Sequence, residues 1–127
     1  MKQNEHRTCN KNLFDAFKNS INGIVYAVKT QTNIKIHLIA VVAVIIIGIY
    51  FKISQVEALF VTFACSLVIV SEMLNTAIET TVDLVTDKYE EKAKIAKDVG
   101  AGAVVISAIN ALIVGYIVFF EKIISLF

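Results

Sequence analysis

Hydrophobic and polar positions follow a helical period in the first part of the chain, from residue 12 to residue 30. Apolar residues recur there every three or four positions and form one stripe of a helix. The stripe consists of Leu13, Phe14, Phe17, Ile21, Ile24, Val25 and Val28. Polar residues occupy the rest of its surface, which is typical of an amphipathic helix lying in a membrane interface. The same stripe would also suit a helix packed on other protein.

Three further segments contain long stretches without any Asp, Glu, Lys or Arg. These stretches are residues 36–51, 58–71 and 99–120. The third is long enough to cross a bilayer, because about 20 helical residues span a hydrocarbon core of roughly 30 Å. The first two reach that length if Lys35, His37 and Glu72 lie near the interfaces or face the protein interior. The predicted membrane helices are residues 34–51, 56–86 and 92–124.

The chain is therefore predicted to be a single all-α membrane domain covering residues 1–127, with residues 1–10 as a disordered polar tail. Its composition agrees, since 57% of the residues are hydrophobic and 18% are charged. Soluble domains contain roughly 45–50% apolar and about 25% charged residues. A soluble protein with apolar core helices is the alternative, but so short a chain has too little polar sequence to cover three such helices.

The charge distribution predicts the orientation in the membrane. The net charge of +1 gives no indication of nucleic-acid binding. If the N-terminus is cytoplasmic, ten of the twelve basic residues lie inside and only Lys52 and Lys122 lie outside. This asymmetry is what the positive-inside rule expects, so we predict a cytoplasmic N-terminus and an external C-terminus. Cys9 in the tail and Cys65 in the second span are not expected to form a disulfide.

The second membrane helix carries a polar stripe made of Glu72, Asn75, Glu79 and Asp83. With about 100° per residue, these four side chains fall within an arc of roughly 80°. Glu72 lies about 24 Å along the axis from Val56, just inside the cytoplasmic boundary of the membrane. A carboxylate at that depth indicates a functional site. A polar seam that holds helices together is the alternative, but three carboxylates on one face repel each other and need cations.

Cations that could balance these carboxylates are Lys94, Lys97 and one or more metal ions. Lys97 and Asp98 begin the third span at the level of Glu79, and the small residues 100–103 that follow favour close helix packing. Carboxylates with lysine at a membrane surface suit phosphoryl transfer, in which Mg²⁺ bridges carboxylates and phosphates. No Walker or protein-kinase motif is present. The residues alone thus indicate metal-dependent chemistry or cation handling at the cytoplasmic interface.

The pattern Glu72-x-x-Asn75-Thr76-Ala77-Ile78-Glu79-x-x-x-Asp83, followed by Ala96-Lys97-Asp98, resembles the small prokaryotic diacylglycerol kinase family. The resemblance covers nearly the whole chain. Residues 36–40 and 93–99 look closer to the Gram-positive branch, which phosphorylates undecaprenol. The resemblance implies a bacterial cell-membrane protein that forms a homotrimer, with active sites shared between neighbouring subunits at the cytoplasmic surface.

The same resemblance implies a role for each polar residue of the candidate site. Glu72 is the general base and Glu79 is a metal ligand. The residues expected to bind or organise the nucleotide are Asn75, Glu79, Asp83, Tyr89, Lys97 and Asp98. The family usually has a second metal-binding Glu just before the first span, whereas this chain has Gln31, a weaker Mg²⁺ ligand. Either this chain binds metal less tightly than its family, or another group takes the place of the missing carboxylate, or the chain is an altered or impaired form of the enzyme.

The predicted function is ATP- and Mg²⁺-dependent phosphorylation of a membrane lipid alcohol, with undecaprenol as the substrate and diacylglycerol as the alternative. The alternative from another functional class is a small membrane protein without catalytic activity, either a scaffold or a cation-handling oligomer. A transporter would more naturally keep its charges near the bilayer midplane. This chain keeps them on one side, which favours the enzyme.

Overall fold

A computed structural model describes residues 13–127, which form four α-helices. Their bounds are α1 Leu13–Thr30, α2 Thr32–Tyr50, α3 Gln55–Val85 and α4 Glu91–Ile124. Helices α2, α3 and α4 are each long and apolar enough to cross a membrane. The predicted class, an all-helical protein with three candidate spans, is confirmed. The predicted disordered tail at residues 1–10 and Cys9 lie outside the described residues.

The break between α1 and α2 is shorter than the sequence suggested. The predicted helices at residues 12–30 and 34–51 left residues 31–33 between them, but only Gln31 lies outside α1 and α2. Gln31 has an extended backbone with φ −99° and ψ 119°, and its N–H still bonds to the Ala27 carbonyl at 2.9 Å. Lys35 Nζ donates to the Lys29 carbonyl at 3.1 Å. One extended residue therefore suffices to turn the chain, because Lys35 satisfies a carbonyl at the end of α1.

Helix α1 lies with its apolar stripe uncovered by the rest of the chain. Leu13, Phe14 and Phe17 are 87%, 74% and 66% exposed, and Ala27 is the only residue of α1 that is buried. A helix packed on its own chain would bury this stripe. The stripe is therefore free to contact a membrane interface or another protein chain, which are the two uses that its pattern suits.

Helices α3 and α4 form an antiparallel hairpin around which the other helices lie. The 31 residues of α3 measure about 46 Å, so the helix is longer than a hydrocarbon core of roughly 30 Å. Its apolar part lies toward the turn at residues 51–54 and its polar stripe toward the turn at residues 86–90. Apolar residues of α3 and α4 pack in the hairpin, and the buried ones are Ala64, Val68, Val118 and Phe119.

The end of the hairpin away from the polar stripe is fixed by a helix cap and an ion pair. Ser54 caps α3 through a capping box, in which Oε2 of Glu57 accepts from the Ser54 N–H at 2.7 Å. Oε1 of the same carboxylate binds Lys122 Nζ of α4 at 2.6 Å. Lys52, in the turn before the cap, has a left-handed backbone with φ 50°. This end therefore sets the register in which α3 and α4 run toward the site.

Candidate active site

The polar stripe of α3 passes from the buried interior to the exposed end of the helix. Glu72 is 2% exposed and Asn75 is 7% exposed. Glu79 is half-buried, and the side chain of Asp83 is 64% exposed. Successive members are three or four residues apart, so the stripe extends about 17 Å along one face of α3. Burial within the chain therefore decreases along the stripe from Glu72 to Asp83.

Glu72 is a buried carboxylate that the described chain leaves without a hydrogen bond. Within residues 13–127, Glu72 and Ile34 are the two largest fully buried side chains. The Glu72 carbonyl accepts a bond from Thr76 Oγ1 at 2.9 Å, but no bond joins its carboxylate to another described residue. A buried carboxylate with free acceptor sites can take a proton from a hydroxyl group brought against it.

Asn75 connects the buried and exposed parts of the stripe. Its Nδ2 donates to Glu79 Oε1 at 2.9 Å, which orients that carboxylate. Its Oδ1 is buried and has no hydrogen-bond partner among the described residues. Gly100 of α4 lies directly against this oxygen, since a Cβ at residue 100 would be 2.7 Å from Asn75 Oδ1. The small residue at position 100 thus leaves room for the Asn75 amide.

A polar cleft of about 320 Å³ lies beside the turn at residues 86–90, between the ends of α3 and α4. Four of the predicted nucleotide-binding residues line it, namely Asp83, Tyr89, Lys97 and Asp98. Lys97 Nζ pairs with Asp83 Oδ1 at 2.5 Å. Lys88 and Lys94 also line the cleft, and Lys88 N–H bonds to Thr86 Oγ1 at 3.2 Å in the turn. Lysines opposite carboxylates suit a polyphosphate held with a divalent cation.

The structure thus divides the predicted residues into two groups. Asp83, Tyr89, Lys97 and Asp98 come together in the cleft, while Glu72, Asn75 and Glu79 lie along α3 outside its lining. Gln31, in the break between α1 and α2, is in neither group. Its side chain makes no bond that caps α2. Its predicted place beside the metal stays a prediction.

The donor set fits a magnesium ion that is shared with a nucleotide. Residues 13–127 hold no group of three or more His, Cys, Asp or Glu side chains placed to bind a metal. Mg²⁺ in phosphoryl-transfer sites is held by one or two carboxylates together with substrate phosphates. Glu79 offers such a carboxylate, which is oriented by its hydrogen bond from Asn75 Nδ2.

Two polar residues that were not predicted from the sequence lie at the contact between α3 and α4. Oγ of Ser71 and Oγ of Ser107 are 2.7 Å apart. Ser107 is an isolated hydroxyl within an apolar segment and Ser71 ends another such segment, which is the signal that could have singled them out. They are 36 positions apart in the chain, so they could not be paired from sequence alone.

The chain is similar to known bacterial lipid kinases. The chain is 37% identical over 122 residues to the undecaprenol kinase of Bacillus subtilis (strain 168), covering 96% of this chain and 99% of that protein. It is 40% identical over 116 residues to a diacylglycerol kinase of Synechocystis sp., covering 91% of this chain and 66% of that protein. A diacylglycerol kinase of Escherichia coli (strain K12) is 33% identical over 75 residues, covering 59% of this chain and 62% of that protein.

Residues 18–119 match the family described as prokaryotic diacylglycerol kinase. This range includes the whole stripe of α3 and the lining of the cleft. The match confirms the resemblance predicted from the sequence and favours the enzyme over a non-catalytic membrane protein. The chain is a lipid kinase that belongs to the prokaryotic diacylglycerol kinase family.

Proposed function

We propose that this protein phosphorylates undecaprenol with ATP at the cytoplasmic surface of the bacterial cell membrane. Family membership implies a lipid acceptor and ATP as the donor. The choice of undecaprenol is supported by the alignment with an undecaprenol kinase over 99% of that protein's length. Diacylglycerol is the second candidate, because a diacylglycerol kinase is 40% identical to the chain.

The observation that carries the proposal is the buried carboxylate of Glu72, which has no hydrogen-bond partner in residues 13–127 and lies toward the apolar part of α3. A lipid alcohol keeps its hydroxyl group at the membrane boundary, where this carboxylate lies. In the proposed reaction the hydroxyl oxygen attacks the γ-phosphorus of ATP, and the bond from that phosphorus to the β–γ bridging oxygen breaks. Glu72 accepts the hydroxyl proton, and ADP leaves.

The cleft beside the turn at residues 86–90 is the proposed nucleotide site. Lys97 offsets the negative charge of the phosphates, as a lysine does in other phosphoryl-transfer sites. Asp83 holds the Lys97 ammonium group in place through their ion pair. Tyr89, whose side chain is 80% exposed, and Asp98 contact or organise the remainder of the nucleotide.

Magnesium is proposed as the accompanying ion, held by Glu79 with help from Asn75 and, more weakly, Gln31. When bound, it neutralises charge on the phosphates during transfer. The hydrogen bond from Asn75 Nδ2 to Glu79 Oε1 fixes the orientation of the Glu79 carboxylate. Gln31 would contribute a neutral amide oxygen, so fewer protein charges would hold the ion than in a site with a second carboxylate.

We further propose that three copies of the chain assemble, with each site completed by a neighbour, and that the N-terminus faces the cytoplasm. Nearly the whole surface of α2 is exposed in the single chain, where only Ile34 and Gly48 are buried. That leaves an apolar helix free to pack on another copy or on lipid. The excess of lysine at the proposed cytoplasmic side supports the orientation.

The test is phosphate transfer from labelled ATP to undecaprenol and to diacylglycerol, each in the same mixed micelles, with the purified wild-type chain. We expect transfer to both to require Mg²⁺ and kcat/KM to be higher for undecaprenol. A higher value for diacylglycerol would overturn the substrate assignment. If phosphate is transferred neither to undecaprenol nor to diacylglycerol, the proposed function is overturned.

A further inference from the structure

Ser71 of α3 and Ser107 of α4 form a hydrogen bond in the interior of the hairpin. Their Oγ atoms are 2.7 Å apart, and Ser107 is 4% exposed. Ser107 Oγ also donates to the Ala103 carbonyl at 2.9 Å. A hydroxyl group has a single proton. Because Ser107 uses its proton for Ala103, Ser71 is the donor in the bond between the helices, and the two bonds run in one direction from α3 to the backbone of α4.

We propose that Ser71 and Ser107 are positioning residues, which hold the Glu72 carboxylate of α3 in register with the nucleotide cleft that α4 helps to form. The inference rests on the proposed function, because it takes Glu72 as the base and Lys97 as a phosphate-binding residue. Ser71 directly precedes Glu72 in the chain. Fixing the Ser71 side chain against α4 therefore restricts both rotation and sliding of the turn that carries Glu72.

Beside the packing of α3 on α4, the hairpin has few other polar links near the site. Within residues 13–127, hydrogen bonds between side chains join α3 to α4 at three places: Glu57 to Lys122, Ser71 to Ser107, and Asp83 to Lys97. The first lies about 22 Å from Glu72 along α3. The third joins side chains that are 38% and 64% exposed, and exposed ion pairs hold a geometry weakly. The serine pair is therefore the polar link next to the base, and its Ser107 end is buried.

Positioning is needed here because the proposed reacting groups belong to different helices. Glu72 lies on α3, whereas Lys97 and Asp98 lie on α4, about 15 Å along that helix from Ser107. A relative shift of α3 and α4 moves the base away from the hydroxyl group and the phosphate that must meet it. A displacement of about 1 Å can lower the rate of such a reaction by about 10²-fold.

A bond between two serines in a membrane hairpin could instead serve only to hold the helices together. The two roles differ in what a variant changes. Loss of a purely structural bond lowers the unfolding temperature and leaves kcat of the folded protein unchanged. Loss of a positioning bond lowers kcat in protein that remains folded, while KM for ATP and for the lipid stays near the wild-type value.

The experiment compares Ser71→Ala and Ser107→Ala with Ser66→Ala in the purified, detergent-solubilised protein. Ser66 is an exposed serine of α3 whose side chain forms no hydrogen bond within the described part of the chain, so it supplies a matched control. For each variant kcat, both KM values and the unfolding temperature are measured with whichever lipid the wild type accepts. We expect Ser71→Ala and Ser107→Ala to lower kcat about tenfold, with each KM within about twofold of wild type. Ser66→Ala should match wild type, and Ser71→Thr, which keeps the hydroxyl group, should restore most of kcat.

The same two alanine substitutions in a Glu72→Gln background test whether the serines act through Glu72. If they position that carboxylate, its removal makes them redundant, and neither substitution lowers the residual turnover further. Unchanged kcat in Ser71→Ala and Ser107→Ala, or a tenfold loss that persists beside Glu72→Gln, would overturn the inference while an active wild type leaves the proposed function standing. A wild type that transfers phosphate to neither lipid would overturn both.

Discussion

Asn75 Nδ2 donates a hydrogen bond to Glu79 Oε1 across 2.9 Å, joining consecutive turns of α3. The bond fixes the carboxylate that we propose as a magnesium ligand, and it directs the other amide atom of Asn75, Oδ1, toward Gly100 of α4. Replacing a residue that orients a metal ligand typically lowers metal affinity or activity by about 10–100-fold. The side chain of Asn75 therefore links the packing of the hairpin to the chemistry of the site.

Replacing Asn75 should weaken magnesium binding more than it destabilises the fold. In Asn75→Ala the Glu79 carboxylate loses its donor. We expect the Mg²⁺ concentration for half-maximal activity to rise about tenfold or more. A magnesium titration of the transfer reaction measures it, with Asn22→Ala on the exposed surface of α1 as the control. An unchanged titration would show that Asn75 does not support a metal ligand.

Lys97 should matter for nucleotide binding and little for stability. Its ion pair with Asp83 is partly exposed, and such pairs contribute about 0–1 kcal/mol. Lys97→Ala removes a positive charge from the cleft, so KM for ATP should rise about tenfold while the unfolding temperature changes little. Lys92→Ala removes an exposed lysine of the same helix that does not line the cleft, and it should leave KM unchanged. Equal effects of the two substitutions would mean that only overall charge matters.

Gln31 offers a gain-of-function test of the proposed metal site. If its side chain reaches the ion, Gln31→Glu adds a carboxylate, and the Mg²⁺ requirement should fall several-fold. The neighbouring exposed Asn33 provides a control, since Asn33→Asp adds the same charge two residues away. A titration in which both variants match wild type would place residue 31 away from the metal. A fall of equal size in both would indicate a general effect of negative charge.

The fold and part of the site were predictable because they depend on local periodicity. The stripe from Glu72 to Asp83 needs only the pitch of one helix to bring its members onto one face, and α3 carries all four of them. The Ser71–Ser107 bond could not be predicted, because it depends on the register of two antiparallel helices. The single-residue break at Gln31 was also missed, since Lys35 satisfies a carbonyl there that the sequence pattern does not reveal.

The membrane orientation gives a prediction that does not depend on catalysis. Tyr89 in the turn between α3 and α4 should face the cytoplasm together with Cys9, whereas Phe127 at the end of the chain should face outward. Both Tyr89 and Phe127 are largely exposed, so cysteines placed there are open to reagents. In a chain lacking Cys65, a membrane-impermeant maleimide added to intact cells should label position 127 and spare positions 9 and 89. External labelling at position 89 would refute the arrangement of three spans.

Glu72 gives the most specific prediction, because Glu72→Gln replaces one carboxylate oxygen by an amide nitrogen and so removes the base with little change of shape. The lipid hydroxyl group is a poor nucleophile unless its proton is removed as the phosphoryl group arrives. Among the stripe residues Glu72 lies deepest and is 2% exposed, so it is best placed to meet a hydroxyl group at the membrane boundary.

Glu72→Gln keeps the size of the side chain and removes its basicity. We expect kcat to fall about 10²-fold or more, while nucleotide binding and oligomer assembly are kept. The matched control is Glu121→Gln, the same change at an exposed residue near the far end of α4. Loss of the assembled protein in Glu72→Gln would indicate that the residue holds helices together, and near-normal turnover would mean that another group removes the proton.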